Sequence, residues 1–153
     1  VLDEAWHLLQ ANRGTARLLQ LLGLELATLQ APPNLLRAML APGGLGERLI
    51  NADEVVTEVW QRAQREALAC PALRAIVDEL RPAMPRRWTQ PAADGGSAPL
   101  LLTRLRTTDG RELAFFSAFT TFGAPLDVTA ASLRVEHFFP ANEATRAALA
   151  QAT

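Results

Sequence analysis

A chain of 153 residues, 49% hydrophobic and 20% charged, has the size of one domain around one core and ordinary globular composition. No apolar run approaches the ~20 residues of a membrane helix, and no basic-then-apolar start suggests a signal peptide, so a cytoplasmic protein with no membrane contact is expected. The net charge is −1 with both signs interspersed, which argues against the basic stripe of a nucleic-acid-binding module. All fifteen basic residues are Arg, a bias read as genome composition rather than phosphate recognition. The lone Cys70 rules out an internal disulfide and a Cys-based zinc site. The first residue is Val1 rather than Met, so a segment of a longer protein is expected.

In chain order, "VLDEAWHLLQ" reads as one or two short strands bent at "DE". Asn12 is a candidate N-cap, because its side-chain oxygen can accept from the free N–H groups of a first helical turn. The helix behind it carries Ala16, Leu18, Leu19 and Leu22 at three- and four-residue spacing, with Gly23 placed as a C-terminal cap. Asn34 opens two short turns that stop at Pro-Gly-Gly. Asn51 with Glu54 forms a capping-box variant before the clearest helix, whose stripe is Val56, Trp60, Ala63 and Ala67. Pro71 restarts the pattern, and Leu73, Ile76, Val77 and Leu80 share a face until Pro82 and Pro85 end it.

From "RRWTQPAADGGSAP" the composition shifts to a Gly-, Pro- and Ala-rich loop. Two β-rich runs then flank Asp109-Gly110, a strong hairpin signal. After the turn region "GAPLDVTAAS", the run "LRVEHFFP" alternates as a strand with Leu133, Val135, His137 and Phe139 on one face. Asn142 caps a last helix over about 142–152. Helices in the middle and strands at both ends imply a single α+β domain over 1–153, an antiparallel sheet with helices packed on one face.

That order is also the order of a PAS-like domain, and "VLDEAWHLLQANRGTARLL" resembles a PAS opening, a strand pair ending at Asn before the first helix. More specifically, the chain resembles the MmyB-like ligand-binding domain found behind an XRE-type helix-turn-helix in bacterial transcription regulators. The matching pieces include "WHLLQANRGTARLL", "NLLRAMLAP", "VVTEVWQRAQREALACPALRAIVDEL" leading to "RRW", "LRTTDGRELAFFSAFTTFG" and "PLDVTAASLRVEHFFPANEAT". The resemblance implies a PAS-like regulatory domain that holds a small, often apolar ligand. It also implies that DNA is bound only through an N-terminal domain missing from this chain.

On that reading the cavity walls are Trp6 and Leu8 from the opening strand, Trp60 and Trp88 from the helices, and Phe115 and Phe119 from the hairpin. Each doubles as a sound core residue. These walls are apolar with nothing acidic among them, so a fatty acid or similar metabolite fits better than a charged sugar or nucleotide. Arg87 or Arg104 at the mouth can meet a carboxylate head. Phe116 and Phe122 fall on the opposite hairpin face, which together with the terminal helix suggests a homodimer.

His7 and His137 are the only histidines, and Glu136 beside His137 points to the other face of its strand. Nothing local suggests a lowered pKa at Cys70. No GxSxG, HExxH, P-loop or GxGxxG pattern occurs. A non-catalytic sensor domain with no cofactor is therefore expected, beside two alternatives: a small α+β enzyme using the same cavity, and a plain dimerisation module.

Overall fold

The fold comes from a computed structural model, which describes residues 1–25, 32–89, 101–121 and 133–150. Phe122, most of the Gly/Pro-rich loop and the "GAPLDVTAAS" turn region lie outside the described residues. In chain order the helices are α1 (Arg13–Leu21), α2 (Leu35–Leu40), α3 (Leu45–Arg48), α4 (Ala52–Glu66), α5 (Pro71–Leu80), α6 (Arg86–Thr89) and α7 (Glu143–Ala150). Strands β1 (Leu102–Arg106), β2 (Glu112–Thr121) and β3 (Arg134–Pro140) form an antiparallel sheet in the order β1-β2-β3. The arrangement is α+β.

Helix starts follow the capping chemistry at three of the four predicted positions. Asn12 accepts from the Thr15 N–H at 2.8 Å, Asn34 from those of Leu36 and Arg37, and Asn142 from that of Thr145. Asn51 departs from the capping-box expectation. Its carbonyl oxygen accepts from the Arg104 N–H at 3.0 Å, and its amide donates to the Leu102 carbonyl at 2.7 Å and to Glu54. The residue therefore splices the start of α4 to β1 instead of capping the helix. Cys70 caps α5 with its Sγ, which accepts from the Leu73 N–H at 3.4 Å.

The opening segment is not a strand pair. Asp3 Oδ1 accepts from the N–H groups of both Ala5 and His7, at 2.9 and 2.8 Å. Such side-chain bonds compete with a β-ladder. They wind residues 3–7 into a tight turn in which Trp6 takes a left-handed backbone, φ 67°. Only isolated bridges survive, Leu2 to Leu8 and to Arg134 and His7 to Asn34.

The core lies between the helices and the sheet. Trp60, Ala63, Leu73 and Val77 from α4 and α5 meet Leu105, Leu113 and Phe115 from the hairpin, all nearly solvent-free. The hairpin turns at Asp109-Gly110 as the sequence predicts, with the Thr107 N–H donating to the Arg111 carbonyl. Its tip docks on the end of α1, where the Thr108 N–H donates to the Leu21 carbonyl at 3.0 Å. Gly23 permits this approach. Its φ is +68°, and a Cβ there would meet Thr108 Cγ2 at 2.6 Å. On the other side of β2, the Ala114 N–H donates to Thr145 Oγ1, which fastens α7 to the sheet.

Candidate ligand-binding cleft

A cleft of about 1720 Å³ runs between the helices and the sheet face that carries Phe115 and Phe119. Apolar walls come from α1 and the residue that follows it (Leu18, Leu22), α2 (Leu35, Met39), α4 (Val55, Val59) and the hairpin (Leu105, Phe115). The volume exceeds the ~300–1,000 Å³ of ordinary small-molecule pockets, which leaves room for an extended chain.

The register fixes which β3 side chains share this face. Phe119 pairs with Glu136 and Ser117 with Phe138, and directly paired residues project to the same side. Arg134, Glu136 and Phe138 therefore stand with Phe115 and Phe119. The Phe115 and Phe138 rings meet edge-to-face at 6.0 Å between centroids. On the opposite face His137 stacks on Phe139 and contacts Thr120 Oγ1 at 3.2 Å.

Helix α4 supplies the polar part of the wall. Val55, Val59, Arg62 and Glu66 follow one another at three- and four-residue spacing, so two charged groups continue an apolar column. Glu66 sits in a knot. It accepts from Arg62 Nε at 2.8 Å, from the Trp6 indole N–H at 2.8 Å, and from Arg134. Burial works against its charge, but the donors Arg62, Trp6 and Arg134 together outweigh it and hold the carboxyl below its ordinary value. The Arg62 guanidinium lies 3.5 Å from the Phe119 ring centroid and 5.6 Å from that of Trp6, a cation–π position on both.

Glu136 is the second polar group. It is only partly exposed, and it makes no hydrogen bond or ion pair among the described residues. Burial pushes its carboxyl up to about 7, opposed by the charge of Arg62. The other carboxylates of the lining are committed: Asp53 to Arg87 and Trp88, Glu54 to Asn51, and Glu58 to Arg65. Glu25 is engaged as well.

Of the six wall residues and two mouth arginines expected from the sequence, Trp6, Leu8, Phe115, Phe119 and Arg87 line the cleft, Arg87 being bonded to Asp53. Trp60, Trp88 and Arg104 do not. Trp60 is 1% exposed inside the core, with no acceptor for its indole N–H among the described residues. Trp88 donates to Asp53 at 2.6 Å beneath Arg87. Arg104 faces away in a bidentate pair with Glu112 on the paired strand. The expectation of walls with nothing acidic is corrected by Glu136 and by the paired carboxylates Asp53, Glu54 and Glu58. Sequence reasoning missed Arg62 and Glu136, although the broken apolar column on α4 was a usable signal for the first.

No cluster of three or more His, Cys, Asp or Glu capable of holding a metal occurs among the described residues. No described helix is long and apolar enough to cross a membrane. A helical layer on an antiparallel sheet, enclosing a large apolar cleft with a few convergent polar groups, is the build of a small-molecule-binding domain. The chain belongs to the MmyB-like transcription regulator ligand binding domain family, whose sequence model matches residues 1–152. No curated protein and no solved structure matches it.

Proposed function

We propose that this domain is the non-catalytic sensor part of an XRE-type transcription regulator, PAS-like in plan, and that it holds a mostly apolar metabolite such as a fatty acid in the cleft. The supporting observation is that one wall of the cleft is also an anchor of the chain's opening segment. Arg62 lines the cleft and donates to Glu66, and Glu66 accepts from Trp6. A ligand that favours one packing of α4 against β3 thereby favours one position of residues 1–10. Through them it changes how a preceding helix-turn-helix meets DNA, a population shift set by the ligand's differential affinity for the two packings. The working protein is a cytoplasmic homodimer, matching a two-fold operator.

The test is Leu8→Trp, at a half-buried position on the cleft wall. With the cleft available to ligand, the larger ring abolishes uptake of a fluorescent fatty-acid probe while stability changes by under about 1 kcal/mol. A site already filled by side chains gives the reverse, an overpacking cost of about 1–3 kcal/mol and no probe binding in the wild type. Sedimentation of the full-length regulator as a monomer only would overturn the dimer.

A further inference from the structure

The outer edge of β3 is open over a short stretch. Arg134 exchanges both backbone hydrogen bonds with Leu2, so its N–H and C=O face away from β2, whereas the Ala141 N–H faces β2 and donates to the Ala114 carbonyl. Backbone groups alternate in this way along an antiparallel strand. Val135, His137 and Phe139 therefore turn theirs to β2, and Glu136 and Phe138 turn theirs to the outer edge. Among the described residues nothing bonds to the backbone N–H or C=O of Glu136 or Phe138. Pro140, which has no N–H, closes the open stretch at its far end. Phe138 and Phe139 beside that edge are 40% and 53% exposed.

Resting on the reading of a regulator whose DNA-binding part precedes this domain, we propose that the stretch of chain joined to Val1 is a strand that pairs with this open edge. The linker to the DNA-binding part is then built into the sheet. Val1 and Leu2 already aim the chain that way. Leu2 stands opposite Arg134 in an antiparallel bridge, so each step upstream from Leu2 matches one step along β3 towards Pro140. Val1 falls opposite Val135, the residue joined to Val1 opposite Glu136, and the one two places further upstream opposite Phe138. Those two upstream positions are the ones whose own N–H and C=O face β3, so both open residues exchange their pairs of backbone bonds. On its other side Val1 is already held as a strand residue. Its carbonyl accepts from the Leu9 N–H at 2.9 Å, and its nitrogen donates to the Gln10 carbonyl at 2.7 Å.

A second copy of the domain is the weaker occupant. Between Leu2 and Pro140 it would find only two residues with free backbone groups, and the net gain of so few bonds does not offset the freedom lost on association. A tethered strand avoids most of that loss, because Leu2 fixes its register and the tether holds it at high effective concentration. The side chains that suit the strand follow from the alternation. Positions opposite Glu136 and Phe138 share the inner face with Leu2 and suit apolar groups, which would cover the Phe138 ring. The position between them stands on the outer face beside His137. A linker held this way moves with β3, whose Arg134 side chain bonds Glu66 on α4. The packing of α4 then reaches the DNA-binding part along a hydrogen-bonded ladder instead of a free tether.

The experiment compares backbone amide exchange by NMR in the 153-residue chain and in the full-length regulator, with duplex-DNA binding by the full-length protein measured in parallel. The amides of Glu136 and Phe138 are expected to exchange at least about tenfold more slowly in the full-length protein. Those of Val135 and His137, bonded to β2 in both proteins, should change by under about twofold. A short Hα–Hα contact should join His137 to the second residue ahead of Val1, a non-hydrogen-bonded pair in this register. Equal exchange at Glu136 and Phe138 in the two proteins, with DNA still bound, overturns the strand alone. Protection without the His137 contact points to another occupant and overturns it too. Protection already present in the 153-residue chain and rising with its concentration assigns the edge to a second copy, against the proposal. Failure of the full-length protein to bind DNA overturns the regulator reading, while the exchange ratios still decide the strand.

Discussion

The indole N–H of Trp6 donates to the carboxylate of Glu66 at 2.8 Å, joining residues sixty positions apart. Glu66→Ala strands three donors at once, Trp6, Arg62 and Arg134. The expected cost is about 2–4 kcal/mol by urea denaturation, and Glu66→Gln, which keeps an acceptor oxygen, should cost less. The pH dependence follows from the lowered carboxyl. Its contribution is fully present above the ordinary value of 4.5 and disappears as pH falls through the folded-state value. On acidification the wild type should therefore lose its advantage over Glu66→Gln.

Glu136 has the opposite sign. Its carboxyl is raised from 4.5 to about 7, so between those values the unfolded chain ionises while the folded one holds its proton. Stability falls with rising pH across that window and then levels off. Glu136→Gln should stabilise the ligand-free domain by about 1–3 kcal/mol near about pH 8 and by little near about pH 4.5. Equal effects at both pH values in thermal melts would contradict the assignment.

Asn51 bonds β1 through both ends of its amide. Asn51→Ser, which an N-cap would accept, should here cost about 1–2 kcal/mol in urea denaturation. A change within about 0.3 kcal/mol would restore the capping role.

Phe115 is fully buried between the cleft and the core. Phe115→Ala should destabilise by about 3–5 kcal/mol in chemical denaturation. Trp60 is nearly as buried, but its indole N–H has no acceptor among the described residues. Trp60→Phe removes that unsatisfied group along with some packing, so the two terms offset and the cost should stay below about 1.5 kcal/mol.

Periodicity made the middle of the chain legible. Val56, Trp60 and Ala63 on α4, and Leu73, Ile76 and Val77 on α5, are buried where their spacing puts them. The hairpin turn and three Asn caps were equally readable, because each is decided within four residues. Asn51 was misread because its partners are fifty residues away on β1, and no local pattern announces them. The opening segment misled for the opposite reason. Its apolar spacing suits a strand, but Asp3 offers the backbone a nearer acceptor. The cleft's polar groups were hidden by a habit of reading charge as surface. Arg62 and Glu136 acquire their meaning only when β3 is laid beside Phe119 in a register that the sequence does not state.

Leu2 and Arg134 exchange both of their backbone hydrogen bonds, at 2.8 and 2.9 Å, and the Arg134 side chain reaches on to Glu66. Tension applied at Val1 is thus borne by a cross-braced joint instead of a single strand of chain. The first residues behave as the short arm of a lever whose fulcrum is β3. A tilt of that strand is therefore passed to the front of the domain through Leu2.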